Sequence, residues 1–311
     1  MKNISSLSVA IIVGLILLLV LFYFYRESET FEDVKQEEKQ PPVKITIPSY
    51  LPAKVVDDTV SRIPRRVIRC FATNEVDEIF KDSVNSVVDL NPDYEHVFFT
   101  DQDCLEFMRQ NYPGRVSEAY ETLIPGAYKS DLFRICYLYK HGGVYIDINK
   151  VLLEPLRDVI PNDCDLFTVI DIPKCCIWQA FLACRPELPF IKECIDKCVK
   201  NIENRYYGKS VLSVTGPGMM GEVYRSHYGV CVAKPGLFTI NGDKIKLCAL
   251  AGFKKGFAYD GKKKVLDLNR SKRLKMDSHW KNQTSVPHYS VLWSKRMIYT
   301  DDYRQKSSYN K

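Results

Sequence analysis

Four polar residues that could do chemistry lie close together in the stretch SDLFRICYLYKHGGVYIDINKV, residues 130–151. Asp131 and Arg134 are three positions apart in a segment whose apolar residues recur at helical spacing, so they share one face of the predicted helix. Asp147 and Asn149 follow a short apolar strand, and side chains two apart on an extended chain point to the same side. We therefore expect two pairs of converging polar groups.

The chemistry of these four side chains predicts a site for a cation and a phosphorylated ligand. A carboxylate accepts hydrogen bonds from sugar hydroxyls, and a guanidinium pairs with phosphate oxygens. Carboxylate and amide oxygens are ligands that hard divalent cations prefer, and such a cation can bridge a diphosphate. A simple Asx turn at the end of a strand is the alternative interpretation of Asp147 and Asn149.

An alternation of strand-like and helix-like segments positions these residues, which predicts an α/β fold. Strands are predicted at RRVIRCFAT (65–73), YEHVFFT (94–100) and VYIDI (144–148), and helices at 74–92, 101–112 and 126–141, the last of them stopped by Gly142. In an open α/β sheet, ligands bind beyond the carboxyl ends of the strands. Asp147 and Asn149 stand at such an end.

The 311-residue chain is 26% charged and 46% hydrophobic, which predicts a folded protein. Residues 7–25 carry no charge and would form a helix about 28 Å long, enough to span a bilayer. We predict an uncleaved membrane anchor over residues 1–25, with a cleaved signal peptide as the alternative. The charged, proline-ended segment that follows predicts a stalk over 26–62, a folded domain over 63–300 and a tail over 301–311.

The anchor predicts a single-pass membrane protein. Basic residues flank the apolar segment on both sides, so the positive-inside rule gives little asymmetry. A long folded domain after a first helix is usually translocated, and we expect a lumenal domain in the endomembrane system, in the Golgi or the endoplasmic reticulum.

Cysteine spacing and charge exclude two classes of protein. None of the eleven cysteines forms a CxxC pair, so a structural zinc site is not expected, whereas disulfides and buried free thiols both stay open as interpretations.

The net charge of +6 is concentrated in residues 254–275, which have few aromatic residues and no nucleic-acid-binding motif. No nucleic-acid partner is therefore predicted.

The stretch PGAYKSDLFRICYLYKHGGVYIDIN, residues 125–149, resembles the DXD-containing glycosyltransferase family of the yeast initiating α-1,6-mannosyltransferase, inositol-phosphoceramide mannosyltransferases and α-1,4-galactosyltransferases. The resemblance extends over nearly all of residues 63–299, through IPRRVIRCFAT at Ile63, NPDYEHVFFTDQDC at Asn91, TGPGMM at Thr215 and HYSVLWSKRMIY at His288. It implies the Rossmann-like GT-A fold of nucleotide-diphospho-sugar transferases and retaining, metal-dependent transfer of a hexose.

The resemblance also implies roles for single residues. Asp131, Arg134 and Asp147 would be catalytic, with Asp131 on the sugar hydroxyls and Arg134 on the phosphate side of the donor. Asp147 and Asn149 match the DXD residues that bind a divalent cation, which is manganese in most relatives. The other implied contacts are donor binding by Phe71 and Trp293 and metal binding by His288, preferred over His279.

The resemblance further implies the partners of the domain. The donor would be GDP-mannose or a UDP-hexose, with mannose as the first expectation, and the acceptor a glycan, a glycolipid or a sphingolipid. Two departures from the family stand out: Asn149 replaces the second acid of DXD, and RCF at 69–71 replaces a His-Gln-x-Trp type of sequence. A non-catalytic glycan- or nucleotide-binding relative with a degenerate metal site is the alternative.

Overall fold

A computed structural model describes residues 43–172, 175–232, 234–250, 256–268 and 286–302. The chain divides into residues 1–43 and Lys44–Lys311, and the secondary structure described lies in the second unit. The predicted anchor over residues 1–25 and His279 fall outside the described residues. None of the helices in the described ranges has the length and hydropathy that a membrane span requires.

The described ranges contain strands and helices in alternation. The strands are β1 (Lys44–Thr46), β2 (Tyr50–Leu51), β3 (Arg66–Cys70), β4 (Glu75–Asp77), β5 (Glu95–Phe99), β6 (Gly143–Ile146), β7 (Val151–Leu152), β8 (Leu166–Ile170), β9 (Ile177–Cys184), β10 (Gly236–Ile240), β11 (Asp243–Leu250), β12 (Phe257–Asp260) and β13 (Lys263–Asp267). The helices are α1 (Lys81–Leu90), α2 (Asp101–Asn111), α3 (Arg115–Thr122), α4 (Gly126–His141), α5 (Leu156–Val159), α6 (Pro189–Glu203), α7 (Pro217–Tyr228) and α8 (Tyr289–Ser294). The protein is a mixed α/β structure.

Most strands join one large mixed sheet in the order β2-β5-β3-β6-β9-β8-β11-β12-β13-β7, with β10 also paired to β11. Strand β3 runs parallel to β5 and β6, whereas β9 runs antiparallel to both β6 and β8. Strands β3, β5, β6 and β8 therefore all point the same way. Their carboxyl ends lie along one edge of the sheet, where the residues that follow each strand can meet.

The two faces of the sheet are covered by different elements, as the alternation along β6 shows. Tyr145 lies in the core that helices α2, α3, α4, α6 and α7 build on one face. Val144 and Ile146 lie in the core of the other face, together with residues of α1 and α5. Helix α4 is buried on all sides from Leu132 to Leu138, so Arg134 lies in the interior.

Two consecutive glycines join α4 to β6, and neither position accepts a side chain. Gly142 ends the helix with φ +65°, and a Cβ there would lie 2.7 Å from the Cδ atom of Pro64. Gly143 has φ +108°, and its Cβ would lie 2.8 Å from the carbonyl oxygen of Arg66 in the neighbouring strand. The glycine pair therefore stops α4, as predicted, and also allows β6 to approach β3 closely.

The helix predicted over residues 74–92 is shorter than expected. Residues Glu75–Asp77 form strand β4, and Asp77 then caps a 3₁₀ turn by accepting a hydrogen bond from the Ile79 amide at 2.8 Å. The helix itself begins at Lys81. Strand β4 exists because β1 pairs with it and buries Val76 completely, a non-local contact that outweighs the local helical pattern.

Part of the segment predicted as a stalk is packed on the domain. Strand β1 pairs with β4, and β2 pairs with β5 at the edge of the large sheet. Between them Ile47 is only 7% exposed, in a small core with Phe80 and Phe98. The folded region therefore includes residues 44–51, which precede the predicted boundary at residue 63.

A disulfide and buried free thiols, the two alternatives left open for the cysteines, both occur. Cys175 and Cys231 form a disulfide between the β8–β9 connection and the segment after α7. Cys194 and Cys198, one turn apart on α6, are buried free thiols in the helical core.

The position of β1 and β2 generates a prediction about the amino-terminal boundary. A fragment that begins at residue 44 should fold, whereas removal of residues 1–62 should lower the free energy of unfolding by about 3 kcal/mol or more, because it uncovers the Ile47 core and two strand edges. Urea denaturation of the two fragments measures the difference. Equal denaturation midpoints and equal slopes would show that residues 44–62 do not stabilise the domain.

Candidate active site

The Asp147 carboxylate stands just beyond β6 at the carboxyl edge of the sheet. The backbone amide of Asp147 donates to the Ala180 carbonyl at 3.0 Å, which continues the pairing with β9. The backbone carbonyl of Asp147 accepts from the Lys150 amide at 3.1 Å. Residues 147–150 thus form a turn, and the strand ends at Ile146. The expectation that Asp147 and Asn149 lie on one extended segment is wrong, because the turn, not strand periodicity, sets their directions.

The Asn149 side chain has an unusual environment for an amide. Its Oδ1 atom is buried and has no hydrogen-bond partner among the described residues. The side chain of Asp147 is 31% exposed, so an ion or a ligand can reach this turn. Since an orphaned carbonyl oxygen and a reachable carboxylate are oxygen donors of the kind that a hard cation prefers, the two residues fit a divalent cation.

The described residues supply few further ligands for a cation. The described ranges contain no group of three His, Cys, Asp or Glu residues that could hold a metal. A cation at Asp147 and Asn149 would need oxygen atoms from a bound ligand or from water. That requirement suits a site that binds a metal together with a diphosphate.

The Arg134 guanidinium lies between two carboxylates. Its Nη2 atom is 3.4 Å from Oδ1 of Asp131, one turn earlier in α4, and its Nη1 atom is 3.5 Å from Oδ1 of Asp147. One positive and two negative charges leave this cluster with a net charge of −1 when both carboxyls are ionised. That charge would attract a cation to the edge of the sheet.

Arg134 is deeply buried and makes further contacts with the protein. Its side chain is 7% exposed, and it packs against the ring of Tyr145 with 4.2 Å from Cζ to the ring centroid. The guanidinium donates to both oxygens of Ser130 and to the carbonyl of Gln179. Burial would lower the pKa of Arg134, but the surrounding anionic groups, Asp147 and Asp131 included, bring it above its usual value.

Asp131 is held by the loop that precedes α7. Its Oδ2 atom accepts a hydrogen bond from the Thr215 hydroxyl at 2.8 Å, which brings the TGPG segment beside α4. Burial raises the pKa of the Asp131 carboxyl to about 6, although Arg134 and Thr215 act in the opposite direction. The carboxylate is therefore costly to keep ionised, as is common for groups that bind or react with a substrate.

Residues 77–166, which include this cluster, match the family described as a glycosyltransferase sugar-binding region containing a DXD motif. The resemblance to that family is confirmed. Asp131, Arg134, Asp147 and Asn149 all lie inside the matched DXD region.

Individual relatives carry mannosyltransferase names. Inositol phosphoceramide mannosyltransferase 3 of Schizosaccharomyces pombe is 31% identical over 31% of this chain and 27% of its own length. The initiation-specific alpha-1,6-mannosyltransferase of Candida albicans is 38% identical over 24% of this chain and 20% of its own length. The matched part of the chain thus spans about a quarter of the length of these curated relatives.

Among solved structures, the PaToxG glycosyltransferase superposes with a TM-score of 0.43 and 17% identity, over 54% of this chain and 70% of that chain. A likeness this loose carries no argument about the site.

Thr215 and Gln179, which lie beyond the DXD region, complete the wall beside Asp131, and Gln179 is not among the residues predicted from the sequence. Gln179 is 1% exposed, its Nε2 atom donates to the Thr215 carbonyl at 3.1 Å, and its Oε1 atom is buried without a described partner. Gln179 is the one polar residue in the strand sequence IWQAFLAC. A polar residue interrupting a fully apolar strand is the signal that could have identified it.

Phe71, predicted to contact the donor, lies at the carboxyl edge directly after β3. Its ring packs against Phe80 at 5.4 Å between centroids, beside the small core that contains Ile148 of the 147–150 turn. The structure therefore brings Phe71 into the same neighbourhood as the DXD residues, and its role in donor binding stays a prediction.

Trp293 and His288 belong to α8 and its cap, next to the start of α4. The Trp293 indole N–H donates to the Tyr207 carbonyl at 2.7 Å. The Nδ1 atom of His288 caps α8 by accepting from the Ser290 amide at 3.4 Å, and it also lies 2.8 Å from the Ser290 hydroxyl. Tyr289 packs on Tyr128 of α4 at 5.9 Å. Helix α8 thus contacts α4 about one turn before Asp131. The contacts of Trp293 with a diphosphate and of His288 with a cation stay predictions.

The burial of Asp131 generates a prediction about stability. Asp131→Asn should raise the free energy of unfolding at pH 7.5 by about 2 kcal/mol, because asparagine resembles the protonated carboxyl that this environment favours. The pKa of the Asp131 carboxyl is about 6 in the folded protein, and its ordinary value is 3.8. Between these two pH values the folded state therefore binds more protons than the unfolded state. Wild-type stability should therefore fall, relative to the variant, as the pH rises from 4 to 6, and the gap should stay constant above pH 7.

Urea denaturation from pH 4 to pH 8 measures this gap, with the exposed Asp58→Asn as a matched control that should follow the wild type. A wild type that is more stable than Asp131→Asn at pH 7.5 would contradict the prediction.

Proposed function

We propose that the chain is a metal-dependent glycosyltransferase that moves a hexose from a nucleotide diphosphate sugar to an acceptor hydroxyl. The observation that carries the proposal is the contact of Asp131, Arg134 and Asp147 at the carboxyl edge of the sheet, next to the orphaned Asn149 oxygen. All four residues lie within residues 77–166, the range that matches the family. The parallel arrangement of β3, β5 and β6 behind them supports a GT-A fold.

Mannose is the proposed sugar and GDP-mannose the proposed donor, with a UDP-hexose as the alternative, because the named relatives are mannosyltransferases. The acceptor is proposed to be a glycan, a glycolipid or a sphingolipid. Retention of configuration at the transferred sugar is part of the same proposal and rests on the family resemblance.

Each residue of the site has a distinct task in this reaction. Asp147 and Asn149 would hold the divalent cation, for which manganese is proposed, and the cation when bound would neutralise charge on the diphosphate leaving group. Asp131 accepts hydrogen bonds from hydroxyls of the donor sugar and is itself oriented by Thr215. The buried amide oxygen of Gln179 offers one more acceptor on the same wall.

The proposed location is an endomembrane lumen, with the domain tethered by residues 1–25. The Cys175–Cys231 disulfide supports this location, because disulfides persist in oxidising compartments.

The function is tested by donor hydrolysis and transfer with the full chain in detergent, screened over GDP- and UDP-hexoses with and without manganese. Manganese-dependent release of the nucleoside diphosphate from one donor is the expected result. A chain that hydrolyses and transfers none of these sugars would overturn the proposal.

A non-catalytic protein that binds nucleotide sugars is the second candidate. It is favoured by Asn149 in place of an acid and by the lack of a three-residue His, Cys, Asp or Glu cluster in the described ranges. Calorimetry separates the two functions, since this candidate predicts donor binding that is accompanied by neither hydrolysis nor transfer.

The DXD residues generate a prediction about turnover. Asp147→Ala should lower kcat by about a thousandfold or more and leave the far-ultraviolet circular dichroism unchanged, because the residue lies beyond the strand and outside the apolar cores. Asn149→Asp should keep or raise activity and tighten manganese binding, since it adds a negative charge to the cation site. Normal turnover in Asp147→Ala would show that the active site lies elsewhere, and an inert Asn149→Asp would show that the amide has a role of its own.

The histidines generate a further prediction about the metal. His288→Ala should raise the manganese concentration needed for half-maximal donor hydrolysis about tenfold, because it removes a ligand that α8 would bring over the donor. His279→Ala serves as the control and should not change this concentration. If the requirement rises only in the His279 variant, the assignment to His288 is wrong.

A further inference from the structure

The Arg134 guanidinium is held by three hydrogen bonds and two ion pairs within the protein. Its Nε atom donates to the Ser130 carbonyl at 3.1 Å, Nη1 to the Gln179 carbonyl at 3.0 Å and Nη2 to the Ser130 hydroxyl at 2.8 Å. Nη1 and Nη2 carry one more N–H each, and carboxylate oxygens of Asp147 and Asp131 lie 3.5 and 3.4 Å from them. Three of the five N–H groups are thus hydrogen-bonded to Ser130 and Gln179, and the nitrogens that carry the other two form ion pairs with Asp147 and Asp131.

The guanidinium plane is fixed by a small polar network beneath it. The Tyr145 ring packs against Arg134, and its hydroxyl lies 3.1 Å from the Ser130 hydroxyl. The Cys70 thiol completes a triangle, 3.1 Å from the Ser130 hydroxyl and 3.4 Å from that of Tyr145. Three elements, β3, α4 and β6, therefore converge on one side of the guanidinium.

We propose that Tyr145 and Ser130 are positioning residues that fix Arg134 as a bridge between Asp131 and Asp147, so that Arg134 acts through these two carboxylates and does not bind the diphosphate. This proposal rests on the proposed function and revises the phosphate role expected for Arg134. The bridge sets the spacing between the carboxylate assigned to the sugar and the carboxylate assigned to the cation.

Burial separates this arrangement from direct donor binding. An arginine that clamps a phosphate presents its N–H groups to an accessible ligand, whereas the side chain of Arg134 is 7% exposed and the side chain of Asp147 is 31% exposed. A ligand approaching the edge of the sheet therefore meets Asp147 before it meets the guanidinium.

Kinetics of the full chain test the proposal. Tyr145→Phe and Ser130→Ala should each lower kcat about tenfold and change the donor KM less than about twofold, because they loosen the carboxylates without removing a donor contact. Tyr224→Phe makes the same chemical change as Tyr145→Phe at a buried tyrosine of α7 and should match the wild type. Arg134→Lys keeps the charge but not the fork, and should lower kcat about a hundredfold at a similar KM.

Two kinetic outcomes would overturn the proposal. A donor KM that rises in Arg134→Lys while kcat is kept would show that Arg134 binds the donor directly. Wild-type kcat in both Tyr145→Phe and Ser130→Ala would show that the network does not position the bridge.

A second measurement does not depend on transfer. The ¹⁵N-arginine spectrum should contain a slowly exchanging Arg134 Nε–H signal, assigned by its loss in Arg134→Lys. Its exchange should quicken about tenfold in Tyr145→Phe and Ser130→Ala and stay unchanged in Tyr224→Phe. If no sugar is transferred, the proposed function fails, but the Arg134 Nε–H signal still tests the positioning role. Equal exchange rates in the wild type, Tyr145→Phe, Ser130→Ala and Tyr224→Phe would overturn the positioning role.

Discussion

A buried guanidinium between two carboxylates is the interaction on which the rest of this site depends. Removing Arg134 from water is costly, and the ion pairs with Asp131 and Asp147 offset part of that cost. Asp131 comes from the same helix, one turn earlier, whereas Asp147 reaches Arg134 from the end of β6. The Gly142–Gly143 turn makes this meeting possible, because it returns the chain beside β3 at a distance that no side chain would allow.

The local part of this arrangement is predictable from sequence. Helix α4 occurs over residues 126–141 as its apolar spacing and terminal glycine indicate, and Asp131 and Arg134 share a face because they are three positions apart. The strands at 66–70 and 95–99 also lie where β-branched and aromatic residues predict them. Patterns of this kind succeed where neighbouring residues decide the conformation.

The parts that depend on distant residues are not predictable in this way. Residues 75–77 form a strand only because Lys44–Thr46 pairs with them, and nothing near Val76 signals that partner. The wall of the site combines Thr215 with Gln179, residues 36 positions apart that are joined by one hydrogen bond. Similarly, the turn at 147–150 begins where the pairing of this segment with β9 ends. The alternation of side chains along a strand does not reveal that point in the sequence.

Two buried amide oxygens without a partner among the described residues lie at the carboxyl edge of the sheet. Asn149 and Gln179 each bury a side-chain oxygen without a described partner, which costs about 1 to 3 kcal/mol per group, and burial disfavours the ionised form of Asp131. Apolar side chains packed at these positions would give the folded protein a higher stability. Because a cation at Asn149 and sugar hydroxyls at Asp131 and Gln179 would supply the missing partners, the cost to stability and the capacity to bind a nucleotide sugar have the same origin.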